Sequence, residues 1–118
     1  MDGYRILVTA EPLQEQSFDL FGYKLRFTLR FNSISGLWNY DLFDLEKETF
    51  ICQSFGLAVD APSLISMNLP FVVVMEDLSG LGINSIHQSE MGKRLQVAFV
   101  DKRLYREAVR TSNKAVSR

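Results

Sequence analysis

Apolar and polar side chains alternate strictly along one stretch in the first third of the chain. From Tyr23 to Phe31, in the stretch YKLRFTLRF, every odd position is apolar and every even position is polar. A strand with one buried face requires this period of two, because successive side chains of a strand point to opposite faces. The pattern therefore predicts a half-buried strand over Tyr23–Phe31.

The segments on either side continue the pattern. Phe18 and Leu20 precede Gly22, where a tight turn needs positive φ, so the two segments are predicted to pair as a hairpin. After a turn-rich connector over Asn32–Gly36, another alternating strand is predicted from Leu37 to Phe43. Together these strands predict an antiparallel meander.

Trp38 lies on the apolar side of this third strand. Tyr40 and Leu42 share its face, whereas Asn39 and Asp41 face the other way. Aromatic pairs across neighbouring strands contribute roughly 0.2–1 kcal/mol each relative to alanine pairs. Trp38 is therefore interpreted as a core residue, and the alternative is an exposed contact residue at a subunit interface.

The rest of the chain adds further strands. Runs rich in β-branched and aromatic residues predict strands over Phe50–Gly56, Phe71–Glu76 and Leu95–Asp101. A short helical turn is predicted near Ser63–Met67, and a long loop over Asp77–Arg94. The predicted fold class is mainly β: an antiparallel β-barrel or sandwich with one short helix and a C-terminal extension.

Length and composition fit a single domain. The chain has 118 residues, 47% of them hydrophobic, which is enough for one packed core. The only cysteine, Cys52, has no partner for an internal disulfide, the N-terminus lacks the pattern of a signal peptide, and the longest apolar run is LPFVVVM. These features predict a protein made in a reducing cytoplasm, without a membrane partner.

Charge divides the chain into two parts. Residues 1–101 carry 7 Lys+Arg against 13 Asp+Glu, whereas residues 102–118 carry 6 Lys+Arg and one Glu. The predicted domains are accordingly a β-rich body over 1–101 and a basic C-terminal extension over 102–118.

An extension of opposite charge to its own body suits docking onto a neighbouring copy or an acidic protein partner. We expect this segment not to be held by local packing alone. The predicted interface residues are three arginines that meet acidic groups and two residues that supply apolar contact: Arg103, Arg106 and Arg110, with Leu104 and Tyr105.

Chemical motifs are few. His87 is the only histidine, and the GLG of residues 80–82 lacks the rest of a phosphate-binding loop. The acid pairs Asp41 with Asp44 and Glu76 with Asp77 border predicted turns and are interpreted as solvated, and Cys52 as a small buried residue. The sequence therefore predicts no enzyme, no metal site and no cofactor.

Three segments together carry a resemblance to a known family. They are Tyr23–Asn32, the aromatic-rich strand Trp38–Asp44 that runs into an acidic turn, and the closing strand Leu95–Val100. In their order and spacing they resemble the small cyanophage-type baseplate plug proteins of contractile-tailed bacteriophages, over about Gln16 to Asp101. Residues 102–118 depart from that pattern, because shorter relatives stop near the last strand.

The resemblance implies a non-enzymatic structural component of the virion tail baseplate, made in the host cytoplasm. It also implies packing at the baseplate centre against hub, tail tube and other baseplate proteins, and a homo-oligomer around a three-fold or six-fold axis. The alternative is a small nucleic-acid-binding β-barrel, since the basic residues Lys24, Arg26 and Arg30 share one strand face. The acidic body argues against such binding, because it would repel a polyanion.

Overall fold

The computed structural model of the chain describes residues 3–59, 61–79 and 88–107. These residues form two antiparallel sheets, a single 3-10 turn over Gln88–Glu90 and an α-helical segment over 102–107. In chain order the strands are β1 (Gly3–Ile6), β2 (Leu13–Leu20), β3 (Tyr23–Asn32), β4 (Leu37–Asp44), β5 (Thr49–Leu57), β6 (Phe71–Asp77) and β7 (Leu95–Asp101).

The larger sheet is the predicted meander. Its order is β2-β3-β4-β5, and each strand is antiparallel to the next. The β2–β3 turn is formed by Phe21 and Gly22, with φ values of 52° and 79°. Positive φ at both positions is the geometry of a type I′ turn, whose twist matches that of the strands, so Gly22 has the positive φ that the sequence predicted.

The smaller sheet closes the core from the other side. Its order is β1-β7-β6, also antiparallel. Alternate residues of both sheets meet in one apolar cluster, whose largest fully buried side chains are Trp38, Tyr40, Phe27, Phe71 and Phe99. The mainly β, antiparallel prediction is confirmed, and of its two alternatives the described strands form a sandwich.

Trp38 lies in the middle of this core. It is opposite Phe31 in the β3–β4 register, with their ring centroids 5.0 Å apart, and only 1% of its surface is exposed. The prediction of a core residue is confirmed. The alternative of an exposed interface contact is wrong, because no partner could reach the side chain without opening the sandwich.

A β-bulge distorts the edge strand β5. Tyr40 pairs with Phe55 and Leu42 with Cys52, so β5 places two residues opposite the single residue Asp41. Ser54, one of the two, has a φ of 54°. Bulges at a sheet edge increase the local twist and interrupt the row of free backbone groups that another strand would need.

The short helix predicted near Ser63–Met67 is wrong in its position. Ser63 instead exchanges two backbone hydrogen bonds with Val73 of β6, at 2.7 and 3.1 Å. Leu64 then takes a φ of 73°. The backbone N–H of Met67 donates to the Leu64 carbonyl at 3.1 Å, which closes a single turn. The segment extends along the edge of β6 because pairing there satisfies backbone groups that would otherwise be left open.

The strand β1 was not predicted from the sequence. It is four residues long, and only Ile6 is buried, so its side chains show no recognisable period. Its position follows from pairing with β7, in which Gly3 is opposite Val100 and Ile6 is opposite Val97. Short edge strands of this kind depend on a partner that is far away in the sequence.

Strands β6 and β7 are apolar on both faces. Their outward side chains Val72, Ala98 and Val100 form a second buried cluster, against which Ile65, Val74 and Tyr105 pack. Strands buried on both sides read as continuous apolar runs rather than alternating ones. The runs FVVVM and VAFV are the signal in the sequence for this second packed face.

Candidate functional site

The helical segment over 102–107 begins directly at the end of β7. The Asp101 carboxylate accepts hydrogen bonds from the backbone N–H groups of Arg103, at 2.9 Å, and Leu104, at 3.1 Å. An aspartate in this position caps the first turn of a helix by satisfying backbone donors that have no partner within the helix. The change from strand to helix is therefore fixed by one side chain.

Lys102 ties the same segment to the loop before β6. Its backbone N–H donates to the Pro70 carbonyl at 2.9 Å, and its ammonium group donates to the Met67 carbonyl. The expectation that local packing does not hold the extension is therefore wrong for residues 102–107. The reason is that the loop 67–70 places the carbonyl groups of Met67 and Pro70 next to the end of β7, which the sequence did not indicate.

Tyr105 contacts the protein's own body. Its ring is half-buried against the outer face of the smaller sheet, where Val72, Ala98 and Val100 lie. Leu104, by contrast, is exposed on the helical segment. Of the two residues predicted to supply apolar contact to a neighbour, Leu104 is thus available, whereas Tyr105 already has an intramolecular partner.

Arg103 and Arg106 are exposed on the other side of this segment. They line a groove of about 520 Å³, whose other lining residues are Leu69, Pro70, Asp101, Lys102 and Glu107. Neither guanidinium forms an ion pair with any residue that the structure describes. The structure thus brings four of the five predicted interface residues onto one helical segment, and the fifth, Arg110, lies outside the described residues.

Of the three basic residues on the outer face of the larger sheet, Arg26 and Arg30 have partners within the chain, whereas Lys24 is exposed. Arg30 binds the Asp41 carboxylate through two hydrogen bonds. The Arg26 guanidinium lies 4.5 Å from the centre of the Phe43 ring and 3.9 Å from a Glu15 oxygen. This arrangement neutralises much of the positive charge that binding to a nucleic-acid backbone would require.

The acid pair Asp41 and Asp44 is not solvated as the sequence suggested. The two residues are only 6% and 4% exposed. The Asp44 carboxylate accepts hydrogen bonds from the backbone N–H groups of Glu46, at 3.0 Å, and Lys47, at 3.1 Å, and so orders the β4–β5 turn. Both acids have structural partners, which sequence reasoning could not identify without the strand register.

The second acid pair is divided between two environments. The Asp77 carboxylate is buried and forms an ion pair with Arg94 at 2.8 Å, and Arg94 also binds Glu90 at 2.7 Å. Glu76 lies at the surface and pairs with Arg5 at 3.3 Å. The prediction that both residues are solvated is therefore wrong for Asp77, whose ion pair joins the two ends of the loop between β6 and β7.

Cys52 is buried beside Tyr40, as predicted. Burial raises the pKa of the Cys52 thiol to about 11, and burial also raises the pKa of the Tyr40 hydroxyl. The Tyr40 hydroxyl lies 2.5 Å from the Ser63 hydroxyl and forms a hydrogen bond with it. A protonated, enclosed thiol is a packing group rather than a nucleophile.

Other chemical candidates add little. His87 and the GLG of residues 80–82 lie outside the described residues. Among the residues that are described, no three acidic, cysteine or histidine side chains come together as metal ligands. Nor does that part of the chain include a helix with the length and apolarity to cross a bilayer.

Comparison with known proteins identifies the family. The model of the family described as "Cyanophage baseplate Pam3 plug gp18" matches residues 4–102, which include all of the strands except the first residue of β1. The search of curated proteins found no match. Residues 103–118 lie beyond the matched region, so the exposed arginines of the candidate site belong to a part of the chain that the family model does not cover. Because the match extends over most of the sequence, the chain belongs to the cyanophage baseplate plug gp18 family.

Proposed function

We propose that this baseplate plug protein packs at the centre of a contractile tail baseplate, against the hub and tail tube proteins, as a structural component rather than an enzyme. Family membership already makes it a structural protein of the virion tail baseplate that associates with other tail proteins. Within the baseplate, we propose a central position for the protein and a specific surface through which it contacts the other tail proteins.

The exposed Arg103 and Arg106 guanidiniums carry this proposal. They line one groove with Leu69 and Pro70, and they have no ion-pair partner among the described residues. A pair of exposed guanidiniums beside Leu69 and Pro70, in a groove of mixed polar and apolar lining, suits an acidic segment of a neighbouring protein, since arginine forms directed pairs with carboxylates and also contributes apolar contact. Leu104, exposed on the same segment, would extend this surface.

The fold itself suits assembly. Strands β2 and β5 form the two edges of the larger sheet, and the β5 edge is bulged. Bulged or charged edges discourage indiscriminate strand pairing, so specific docking is left to side chains. We propose several copies around a three-fold or six-fold axis, because closed rotational symmetry is the usual arrangement of identical subunits.

A paired substitution tests the docking surface. Arg103→Glu with Arg106→Glu should abolish incorporation into tails while the thermal midpoint of the isolated protein stays within a few degrees, because both side chains are exposed. The matched control is Lys24→Glu with Lys47→Glu, which reverses two exposed charges elsewhere. Normal incorporation of the arginine variant, or equal loss in both variants, would contradict the proposal.

Position and symmetry need a separate measurement. Electron cryomicroscopy of purified tails should show density for the protein around the central axis, in contact with hub and tube. Density confined to the baseplate periphery would contradict the central position. Retention of the isolated protein on heparin at low salt would favour the alternative of nucleic-acid binding, which the intramolecular pairing of Arg26 and Arg30 makes unfavourable.

A further inference from the structure

The strand β2 is a regular edge of the larger sheet. It pairs with β3 over eight consecutive positions without a register shift, from Leu13 opposite Arg30 to Leu20 opposite Tyr23. The other edge of the same sheet, β5, is interrupted by its β-bulge. A long, regular edge strand is a template on which another strand can pair. Of the two edges, β2 is therefore the one that is open to a further strand.

Alternate residues of β2 direct their backbone groups away from β3. The Phe31 N–H donates to the Pro12 carbonyl at 2.8 Å, and hydrogen-bonded positions alternate along an antiparallel pair. The even residues of β2 are therefore bonded to β3. The odd residues point their N–H and C=O groups to the free edge, where no backbone group among the described residues bonds to them: Leu13, Glu15, Ser17 and Asp19.

The smaller sheet extends beyond β2. The Phe99 ring on β7 lies over both β2 and β3, since its centroid is 5.3 Å from that of Phe18 and 6.0 Å from that of Phe27. Ser63, which pairs with β6, forms a hydrogen bond with Tyr40 of β4, so β6 lies on the β4 side of β7. The strand β1 is on the opposite side of β7 and therefore lies beyond the β2 edge.

Tyr4 of β1 shows the consequence of this offset. It is opposite Phe99 in the β1–β7 register, so its side chain is on the inner face of the smaller sheet. Tyr4 is nevertheless 57% exposed, and its ring meets Phe21 of the β2–β3 turn edge-on, at 5.5 Å between centroids. On β2, the inward-facing Phe18 and Leu20 are only half-buried. Inner-face side chains of a sandwich ordinarily meet those of the opposite sheet, which here ends at β2.

We propose that an extended segment of another tail protein pairs with the free edge of β2 and lies beneath β1. This segment forms main-chain hydrogen bonds with the odd residues of β2, as in other cases of strand addition to a sheet edge. Its inward side chains are apolar and cover Tyr4 and Phe18. The larger sheet thereby gains a fifth strand, which extends it under β1.

Charge selects the outward side chains of the segment. Glu15 and Asp19 are exposed on the outer face of β2, and Glu15 lies 3.9 Å from Arg26 on β3. Opposite charges on neighbouring strands stabilise a sheet, whereas like charges directly opposite destabilise it. The segment that fits this edge therefore alternates apolar residues with lysine or arginine. A second copy of β2 would bring two more acids to the same face, which disfavours pairing between copies.

Proline at Ser17 tests the main-chain contact. The Ser17 N–H points to the free edge, so Ser17→Pro removes that donor and no bond to β3, and proline is tolerated at such a position of an edge strand. Ser17→Pro should reduce incorporation into tails by about tenfold or more, because strand addition depends on main-chain bonds. The matched control, Ser17→Ala, keeps the N–H and should incorporate normally. Normal incorporation of folded Ser17→Pro would overturn the proposal.

A charge reversal provides a second variant in case Ser17→Pro fails to fold. Glu15→Lys with Asp19→Lys should impair incorporation, because the reversed charges repel a basic segment. The matched control, Glu46→Lys with Glu48→Lys, reverses two exposed acids of the β4–β5 turn and should incorporate normally. Equal incorporation of the two variants would overturn the proposal.

Hydrogen exchange, measured residue by residue by mass spectrometry, observes the edge directly. The Glu15, Ser17 and Asp19 amides should exchange quickly in the isolated protein and about tenfold or more slowly in assembled tails. Equal exchange in both states would overturn the proposal. Slow exchange in the isolated protein, together with a dimeric mass, would assign the edge to a second copy and would overturn it as well.

The proposal goes beyond the proposed function, because it concerns a surface separate from the Arg103 and Arg106 groove. It rests on association with other tail proteins and not on the central position. The two surfaces can therefore fail independently. Normal incorporation of Ser17→Pro with loss in the Arg103→Glu/Arg106→Glu variant would overturn only the strand addition, and the reverse result would overturn only the arginine surface.

Discussion

Arg30 and Asp41 are joined by two hydrogen bonds across neighbouring strands, one of them 3.0 Å long. The same Asp41 oxygen accepts the backbone N–H of Ser54 at 2.7 Å, at the β-bulge of β5. One carboxylate therefore connects β3, β4 and β5 on the outer face of the larger sheet. Because Asp41 is almost fully buried whereas Arg30 is 41% exposed, solvent screens only one side of the pair.

Asp41→Asn should destabilise the protein by about 1–2 kcal/mol at neutral pH, because the charge-assisted bonds to Arg30 are lost while the amide oxygen still accepts from Ser54. The hydrogen bond to Arg30 lowers the pKa of Asp41 in the folded state. The stability that ionised Asp41 contributes is therefore fully present above the ordinary aspartate pKa of about 3.9. It is lost as the pH falls through the lower pKa of the folded state. Chemical denaturation of the parent protein and of Asp41→Asn should therefore be measured across pH. The difference between their free energies of unfolding should become smaller below about pH 4.

The control is Asp19→Asn on β2, an exposed acid, which should change the free energy of unfolding by less than about 0.5 kcal/mol at neutral pH. If the difference in free energy of unfolding between Asp41→Asn and the parent protein is independent of pH, the shape of the Asp41 side chain, and not its charge, stabilises the fold.

Trp38→Ala should cost about 3–5 kcal/mol, because it removes a fully buried indole from between the two sheets. Trp38→Phe should cost clearly less. The buried indole N–H has no hydrogen-bond partner in the part of the chain that the structure describes, so phenylalanine loses no such bond. Urea denaturation of the parent protein and the two variants measures their free energies of unfolding. An equal loss of stability in both variants would contradict this prediction.

The Cys52 thiol should react very slowly in the folded protein. With its pKa raised to about 11, its thiolate is about a hundredfold scarcer than that of a thiol of pKa about 9, and burial restricts access further. Iodoacetamide labelling at pH 8 should be slow in the native state and fast in concentrated guanidinium chloride. Cys52 is the only cysteine, so no other thiol contributes. Rapid native labelling would mean that β5 opens readily.

Gly92→Ala should be much more damaging than Gly22→Ala, although both glycines have positive φ, 85° and 79°. A Cβ at residue 92 would lie 2.5 Å from the Val8 carbonyl oxygen, whereas one at residue 22 meets nothing within 4 Å. We expect about 1 kcal/mol of backbone strain at Gly22 and a further loss of at least about 1–3 kcal/mol at Gly92. Thermal melting of the two variants compares them directly, and similar midpoints would show that the 88–94 turn moves away from Val8 at little cost.

Much of the fold followed from side-chain periods that act within one strand. The alternation from Tyr23 to Phe31 and from Leu37 to Phe43 predicted two strands, their buried faces and the burial of Trp38. The reason is that a period of two depends only on the geometry of an extended backbone. A charge count alone likewise separated a basic extension from an acidic body.

The candidate site was predicted only in outline. The sequence indicated that Arg103 and Arg106 would be exposed, but the contacts of Tyr105 and Lys102 depend on where the loop 67–70 and the outer face of the smaller sheet lie. Lys102 and Met67 are 35 residues apart along the chain, and no local pattern records their approach.

Tertiary structure alone decided the partners of the charged residues and the layout of the sheets. Asp41 is on the outer face as its position in the alternation predicted, yet it is buried because the register places Arg30 and the Ser54 bulge beside it. The strand β1 and the turn at Ser63 exist because β7 and β6 offered open edges to pair with. Propensity and period are local properties of the chain, whereas register, edge pairing and the satisfaction of buried charges depend on residues that meet only after the chain has folded.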